Sequence, residues 1–209
     1  MLKVSYISAG VVALSAMGGV ALAEPSVSYG VTVTSNYVSG GVTQTDGGAA
    51  IQPYIEFDIG AGFYAGIWAS NVDFGTADNF EYDLYVGYGG SFGSIEYDVS
   101  YLRYYYDDSG FDSEELILTF DYALTDKIAA SSSLSSDLMG AESFTQGVSF
   151  EVADNYELSA EYAWDLSGDG EDWNLGVSRS LNDNVSIDLR YFEASGEDAE
   201  FALSISFDS

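Results

Sequence analysis

Carboxylates recur two residues apart along this chain, as Glu56 with Asp58, Glu81 with Asp83 and Glu96 with Asp98. Such pairs can act as general acid and base, as in glycoside hydrolysis, or line a passage that concentrates cations and repels anions. Asp121, Glu151, Glu157, Glu161, Asp188 and Glu200 extend the set, and Arg190 is a cation of the same parity. The chain carries 34 Asp and Glu against 5 Lys and Arg, a net charge of −29, so most of these acids find no cationic partner within the protein. They must be hydrated, protonated or matched by external cations.

Other chemistries are short of parts. There is no His and no Cys, which removes the commonest general base, thiolate metal sites and disulfides. A Ser–Lys pair would need Lys127, which sits in a turn. The i,i+2 acid pairs arise because one whole strand face is acidic, so no enzyme, no cofactor and no metal site is expected. Nucleic acid is excluded as a partner, since phosphate binding needs clustered Lys and Arg.

The elements that carry these acids alternate in hydrophobicity with a period of two, as strands do. Ile51, Pro53, Ile55, Phe57 and Ile59 alternate with Gln52, Tyr54, Glu56 and Asp58. Phe80, Tyr82, Leu84, Val86 and Tyr88 alternate with Glu81, Asp83, Tyr85 and Gly87, and the pattern continues to Phe201, Leu203, Ile205 and Phe207. Residues 62–73 and 127–135 read as weaker strands, rich in Gly, Ala and Ser. At about 9–11 residues per membrane strand, this gives about twelve strands. Short connections lie near residues 60–62, 89–91, 125–127, 154–155 and 182–184, several with Asn or Asp, which tolerate left-handed backbone. Long ones fall at about 35–48, 71–79, 104–114, 135–142, 165–171 and 193–198.

Residues 1–23 read as a signal peptide: Lys3, an apolar run from Val11 to Leu22, and Ala21-Leu22-Ala23 as the cleavage site. The expected fold is all-β: an up-and-down antiparallel transmembrane β-barrel of about twelve strands over residues 24–209, preceded by the cleaved peptide. Aromatic residues near strand ends (Tyr37, Phe74, Phe92, Tyr104, Tyr105, Tyr106, Trp164, Trp173 and Phe207) match the girdles of outer-membrane barrels. The acids then face the lumen, because charge on the lipid face is costly.

Within this frame some residues carry a family likeness. Ser35-Asn36-Tyr37-Val38, Gly41-Val42-Thr43-Gln44-Thr45-Asp46 and Ala50-Ile51-Gln52 resemble the N-terminal signature of the TorF-like porin family. So does the stretch from Gly62 through Trp68, Ser70, Asn71 and Asp73 to Phe74, and so does Glu81-Tyr82-Asp83-Leu84-Tyr85. The resemblance implies an outer-membrane barrel of a Gram-negative bacterium that forms a pore. This chain has Ser39-Gly40 where that family has a bulky residue and Arg, so no role of that Arg carries over.

The expected function is a passive channel for small solutes, whose acidic lumen (Glu56, Asp58, Glu81, Asp83, Glu96, Asp98, Asp121, Glu151, Glu157, Glu161, Asp188 and Glu200, with Arg190) favours cations. The alternative is a non-conducting structural barrel that binds divalent cations and lipopolysaccharide through acidic loops; a soluble periplasmic barrel is a third reading. Asp165 to Gly170 echoes a calcium loop, but its twelfth position is Gly176, where a bidentate Glu is needed. It reads as a solvated loop, as do Asp107, Asp108, Asp112, Glu114 and Glu115. Arg179 shares the parity of the lipid face and is expected to snorkel to the interface. Partners expected from the class are outer-membrane lipids and lipopolysaccharide, periplasmic chaperones and the barrel-insertion machinery.

Overall fold

The computed structural model describes residues 25–168 and 170–209. Residues 1–23, read as a signal peptide, and Asp169 lie outside the described residues. The strands are β1 (Ser26–Thr34), β2 (Val38–Ser39), β3 (Val42–Thr43), β4 (Ala50–Gly60), β5 (Phe63–Asn71), β6 (Phe80–Phe92) and β7 (Ile95–Tyr106). They continue as β8 (Gly110–Ala123), β9 (Ile128–Ser136), β10 (Glu142–Ala153), β11 (Tyr156–Asp165), β12 (Glu171–Asn182), β13 (Val185–Ala194) and β14 (Glu200–Asp208). No helix occurs among the described residues.

Twelve of these strands close into one antiparallel barrel, in which β1 pairs with both β4 and β14 and every other wall strand pairs with its sequence neighbours. Closure leaves each of these twelve wall strands paired on both sides. The remaining two, β2 and β3, form a small hairpin inside the connection from β1 to β4.

Cross-strand partners share a face, so the register shows which side chains lie together. Asp98 faces Thr119, Glu96 faces Asp121, Gly147 faces Glu161, Glu161 faces Asn174, and Arg190 faces Gly176 and Ala202. Followed around the ring, one face carries all the acids expected in the lumen, and it is the inner one. The outer face is apolar and exposed: Ile51 is 60% accessible, Ile59 58%, Phe201 62% and Leu203 54%. This polarity is the reverse of a barrel that folds around an apolar core in water.

The hairpin ends behave as the sequence suggests. Bulges fall beside three short turns, at Asp58/Gly60, Glu151/Ala153 and Ser180/Asn182. Asn155 takes φ 65° at one of these turns. The serine-rich segment forms β9, with Ser131, Ser133 and Ser135 opposite Asp121, Thr119 and Ile117.

The expected long connection at 104–114 is different. β7 and β8 run on until only residues 107–109 join them, with a bulge at Tyr104/Tyr105. Tyr104 and Tyr106 therefore point inward, at 2% and 5% exposure, and do not belong to the aromatic girdle. Tyr105 does face outward, stacked on Tyr82 with ring centroids 5.2 Å apart. Glu114 and Glu115 are strand residues too: Glu115 accepts from the Tyr104 hydroxyl, while Glu114 pairs outside with Arg103 at 3.7 Å. Arg103 lies 4.4 Å from the Phe111 ring centroid, a cation–π contact on the outer rim. Arg179 faces outward as expected and stacks over Tyr156 near a short turn.

The buried apolar residues are not spread along the barrel. Tyr37, Ala50, Val72 and Tyr106 form one cluster with Trp68 and Phe74 against it, and Val38, Phe192 and Ala202 form another. Both lie at the mouth with the longer loops, around residues 35–49. Tyr37 and Phe74 are thus core residues of that mouth and not girdle residues.

Candidate functional site

The first long loop, residues 35–49, folds into the barrel. Tyr37 packs edge-on against Trp68 of β5, with centroids 5.5 Å apart, and joins the cluster that includes Tyr106 of β7. At its other extreme, Gly41 abuts Ala194 at the end of β13: a Cβ on Gly41 would stand 2.6 Å from the Ala194 Cβ. Gly41 also has φ 74°, so backbone and space both demand glycine. β7 and β13 stand six strands apart in a ring of twelve, so this loop spans the lumen.

The likeness-bearing residues build this crosspiece. Asn36 is buried; its amide donates to Glu200 Oε2 at 2.8 Å, and its oxygen accepts from the Thr43 hydroxyl at 2.7 Å. The Thr45 hydroxyl lies 2.6 Å from the Gly48 carbonyl and accepts from the Tyr37 amide at 3.1 Å. The Gln44 amide donates to the Tyr37 carbonyl, and the Gln44 carbonyl receives the Asp73 amide at 2.8 Å. Asn71 clamps the return of the loop, accepting from the Ile51 amide and donating to the Ala49 carbonyl. Gln52 and Ser70 meet beneath at 3.4 Å. The Asp73 carboxylate caps Gly75. These residues hold the loop in its pose.

Burial next to Glu81 and Asp83 pushes the Tyr37 phenol well above its ordinary pKa, so it stays protonated. Asp107, in the exposed turn after β7, is shifted the other way: the backbone N–H groups of Asn79 and Phe80 donate to its carboxylate at 2.8 and 3.1 Å. That turn therefore ties the loop of residues 72–79 to its neighbour.

The inward acids are spread along the barrel from the short-turn end to the mouth. Asp58, Glu96, Asp121, Glu151 and Glu157 lie within a few residues of the short turns and ring that end of the lumen, with Glu96 directly opposite Asp121 and Glu151 directly opposite Glu157. Glu56, Asp98 and Asp188 come next. Glu161 and Glu200 stand nearer the loop-filled mouth, where each is held by an asparagine, Asn174 and Asn36. Glu81 and Asp83 face inward but do not line open space. Both are 2% exposed beneath the loop, which corrects their place among pore-lining residues.

Arg190 is the inward cation. It bonds Asp188 at 3.1 Å, Ser159 at 2.8 Å and Asn174, lying flat across Gly176. Sequence reasoning missed the other partners of the acids, which are phenols. Tyr64 donates to Asp98 at 2.8 Å, Tyr54 to Asp208 at 2.9 Å and Tyr106 to Glu81 at 3.3 Å, while Tyr85 approaches Glu56. Tyr64 and Tyr85 reach their acids by lying over Gly87 and Gly66 on the adjacent strands. The signal was present: 17 tyrosines, several at inward parity opposite a glycine.

This architecture is a closed, wet-walled β-barrel with a polar interior, an apolar exterior and a loop across one mouth. The family model described as "Bacterial protein of unknown function (Gcw_chp)" matches residues 21–208, and the chain belongs to that family. Among solved structures the chain is similar to a KdgM porin, with TM-score 0.64 at 9% identity, over 87% of this chain and 97% of that one. The KdgM porin in complex with disordered oligogalacturonate gives TM-score 0.63 over the same shares, again at 9% identity. A protein solved in work on the in-meso crystallization of membrane proteins gives TM-score 0.58 at 12% identity, over 88% and 83%. No curated protein matches the chain in sequence.

Proposed function

We propose that the protein is a porin-like passive channel of the bacterial outer membrane, with an acidic lumen that favours cations and small neutral solutes. The observation that carries this reading is the barrel's inverted polarity: an exposed apolar wall around an interior face of carboxylates, phenols and hydroxyls. Twelve strands leave space inside that eight do not, and an acidic ring at the short-turn end raises the local concentration of cations. Selectivity then comes from charge and width, with no cofactor and no catalytic step.

The porin-like fold and the TorF-like residues at 35–88 support the same assignment. The ligand of the similar porin does not transfer, however. An oligogalacturonate is a chain of sugar acids, and a wall with Glu96 opposite Asp121 repels it. Outer-membrane lipids and lipopolysaccharide would surround the apolar wall, and chaperones with the barrel-insertion machinery would deliver the exported chain.

A second reading has its own observation. The loop across the mouth supports a structural barrel that passes nothing and presents acidic loops to divalent cations and lipopolysaccharide. Liposome swelling separates the two. The channel reading expects vesicles containing the protein to swell in arabinose and in a lysine salt, and more slowly in a glutamate salt. Swelling indistinguishable from protein-free vesicles in all three solutes would favour the structural barrel.

A further inference from the structure

Beneath Tyr37 two carboxylates of β6 are buried without a countercharge. Glu81 and Asp83 each show 2% exposure, and they stand two residues apart on one strand face. Glu81 Oε1 accepts from the Tyr106 hydroxyl and the Tyr37 hydroxyl stands beside the same carboxylate, but Glu81 Oε2 makes no hydrogen bond of ordinary geometry and Asp83 Oδ1 is buried with no hydrogen-bond partner at all. The cations of the described chain are elsewhere: Arg103 faces outward, Arg190 is bound to Asp188, and Lys127 and Arg179 lie at the short-turn end. An orphan carboxylate oxygen in a dry site is costly, and two adjacent ones more so. The pair is neutralised either by protons or by a bound cation.

We propose that Glu81 and Asp83 form a binding site for a divalent cation of the calcium type, which locks the loop of residues 35–49 to the barrel wall. Two carboxylates match the charge of one such ion. Calcium accepts irregular shells of carboxylate, carbonyl and neutral oxygens, which suits a cleft between a strand and a folded loop. Among the described residues no three acidic side chains converge on one point, so neutral oxygens of the wall and loop complete the shell. Strand geometry sets the scale: side chains two apart on one face are about 7 Å apart at their bases, and two carboxylates reach inward from there to one ion. The ion would anchor the loop on the side of β6, across the lumen from the Gly41–Ala194 contact. This site stands on the orphaned oxygens and needs no conductance to be real.

Terbium luminescence tests it on the full mature chain refolded in detergent, because Tyr37, Tyr104, Tyr106 and Trp68 surround the site and transfer excitation to a bound terbium ion. The expected result is a saturable emission phase that calcium displaces. Its affinity should fall about tenfold or more in each of Glu81→Gln and Asp83→Asn, since affinity follows ligand charge. Asp126→Asn, in an exposed turn, should leave it unchanged. A displaceable phase that survives in both folded variants overturns the proposal and leaves protonation as the way these acids are neutralised. If either variant fails to fold, the wild-type chain decides: calcium should raise the temperature at which the barrel loses its heat-modifiable gel mobility, and a chelator should reverse the rise. No calcium-dependent shift overturns the proposal equally. Both readouts measure binding, so a silent channel would not count against the site, nor an empty site against the channel.

Discussion

Asn36 shows how much of the mouth depends on single polar side chains. Its amide and its oxygen join Glu200 on one side to Thr43 on the other; Asn36 itself is buried and its two partners are half-buried. Asn36→Ala leaves Glu200 and Thr43 short of a partner, a loss of about 1–3 kcal/mol for a buried group. Hydrogen exchange should register this as faster exchange of the Gln44 amide, which bonds the Tyr37 carbonyl, with the barrel strands unaffected. Unchanged exchange would mean the loop is held by packing alone. Asp107 makes a pH-dependent tie of the opposite exposure. Backbone donors hold its carboxyl below the usual range, so its contribution is present above the unfolded value of about 3.9 and is lost as pH falls through the lower folded value. Proteolysis within residues 72–79 should therefore accelerate on acidification below about pH 4, and Asp107→Asn should show less of that dependence.

At the scale of elements, the Tyr-over-Gly pairs make β5 and β6 depend on each other. Gly87→Ala would put a Cβ 2.2 Å from the Tyr64 ring, and the ring cannot move without giving up Asp98. We expect a lower unfolding temperature by heat-modifiable mobility, corresponding to about 1–3 kcal/mol of overpacking, and recovery in Gly87→Ala with Tyr64→Ser. Failure of the second substitution to recover stability would place the strain elsewhere. Such pairs also explain what the sequence made legible and what it hid. Strict alternation from Ile51 to Asp58 states strand, face and environment together, since one periodicity serves all three. The run Tyr104-Tyr105-Tyr106-Asp107-Asp108 reads as a loop because acids follow aromatics there, yet the strands continue, since phenols at inward parity donate to Glu81 and Glu115. The inward fold of residues 35–49 has no periodic signature at all. Its polar and glycine residues resemble any exposed loop until the partners at Glu200, Trp68 and Ala194 are known.

Over the whole molecule, charge is the property that alternation and composition announce and that the barrel arranges. Carboxylates ring the short-turn end, continue up the wall and meet a crosspiece held by asparagine, threonine and buried aromatics. Net charge alone says nothing about permeation, but one sign of charge on the inner face of a closed ring does. The measurement closest to that claim is planar-bilayer recording of refolded residues 24–209 across a potassium chloride gradient. The account predicts stable conductance steps with a reversal potential on the potassium side of zero, moving toward zero when Glu96, Asp121, Glu151 and Glu157 are replaced by Gln or Asn. Silence from a folded barrel, or a reversal potential that those substitutions leave in place, would contradict it.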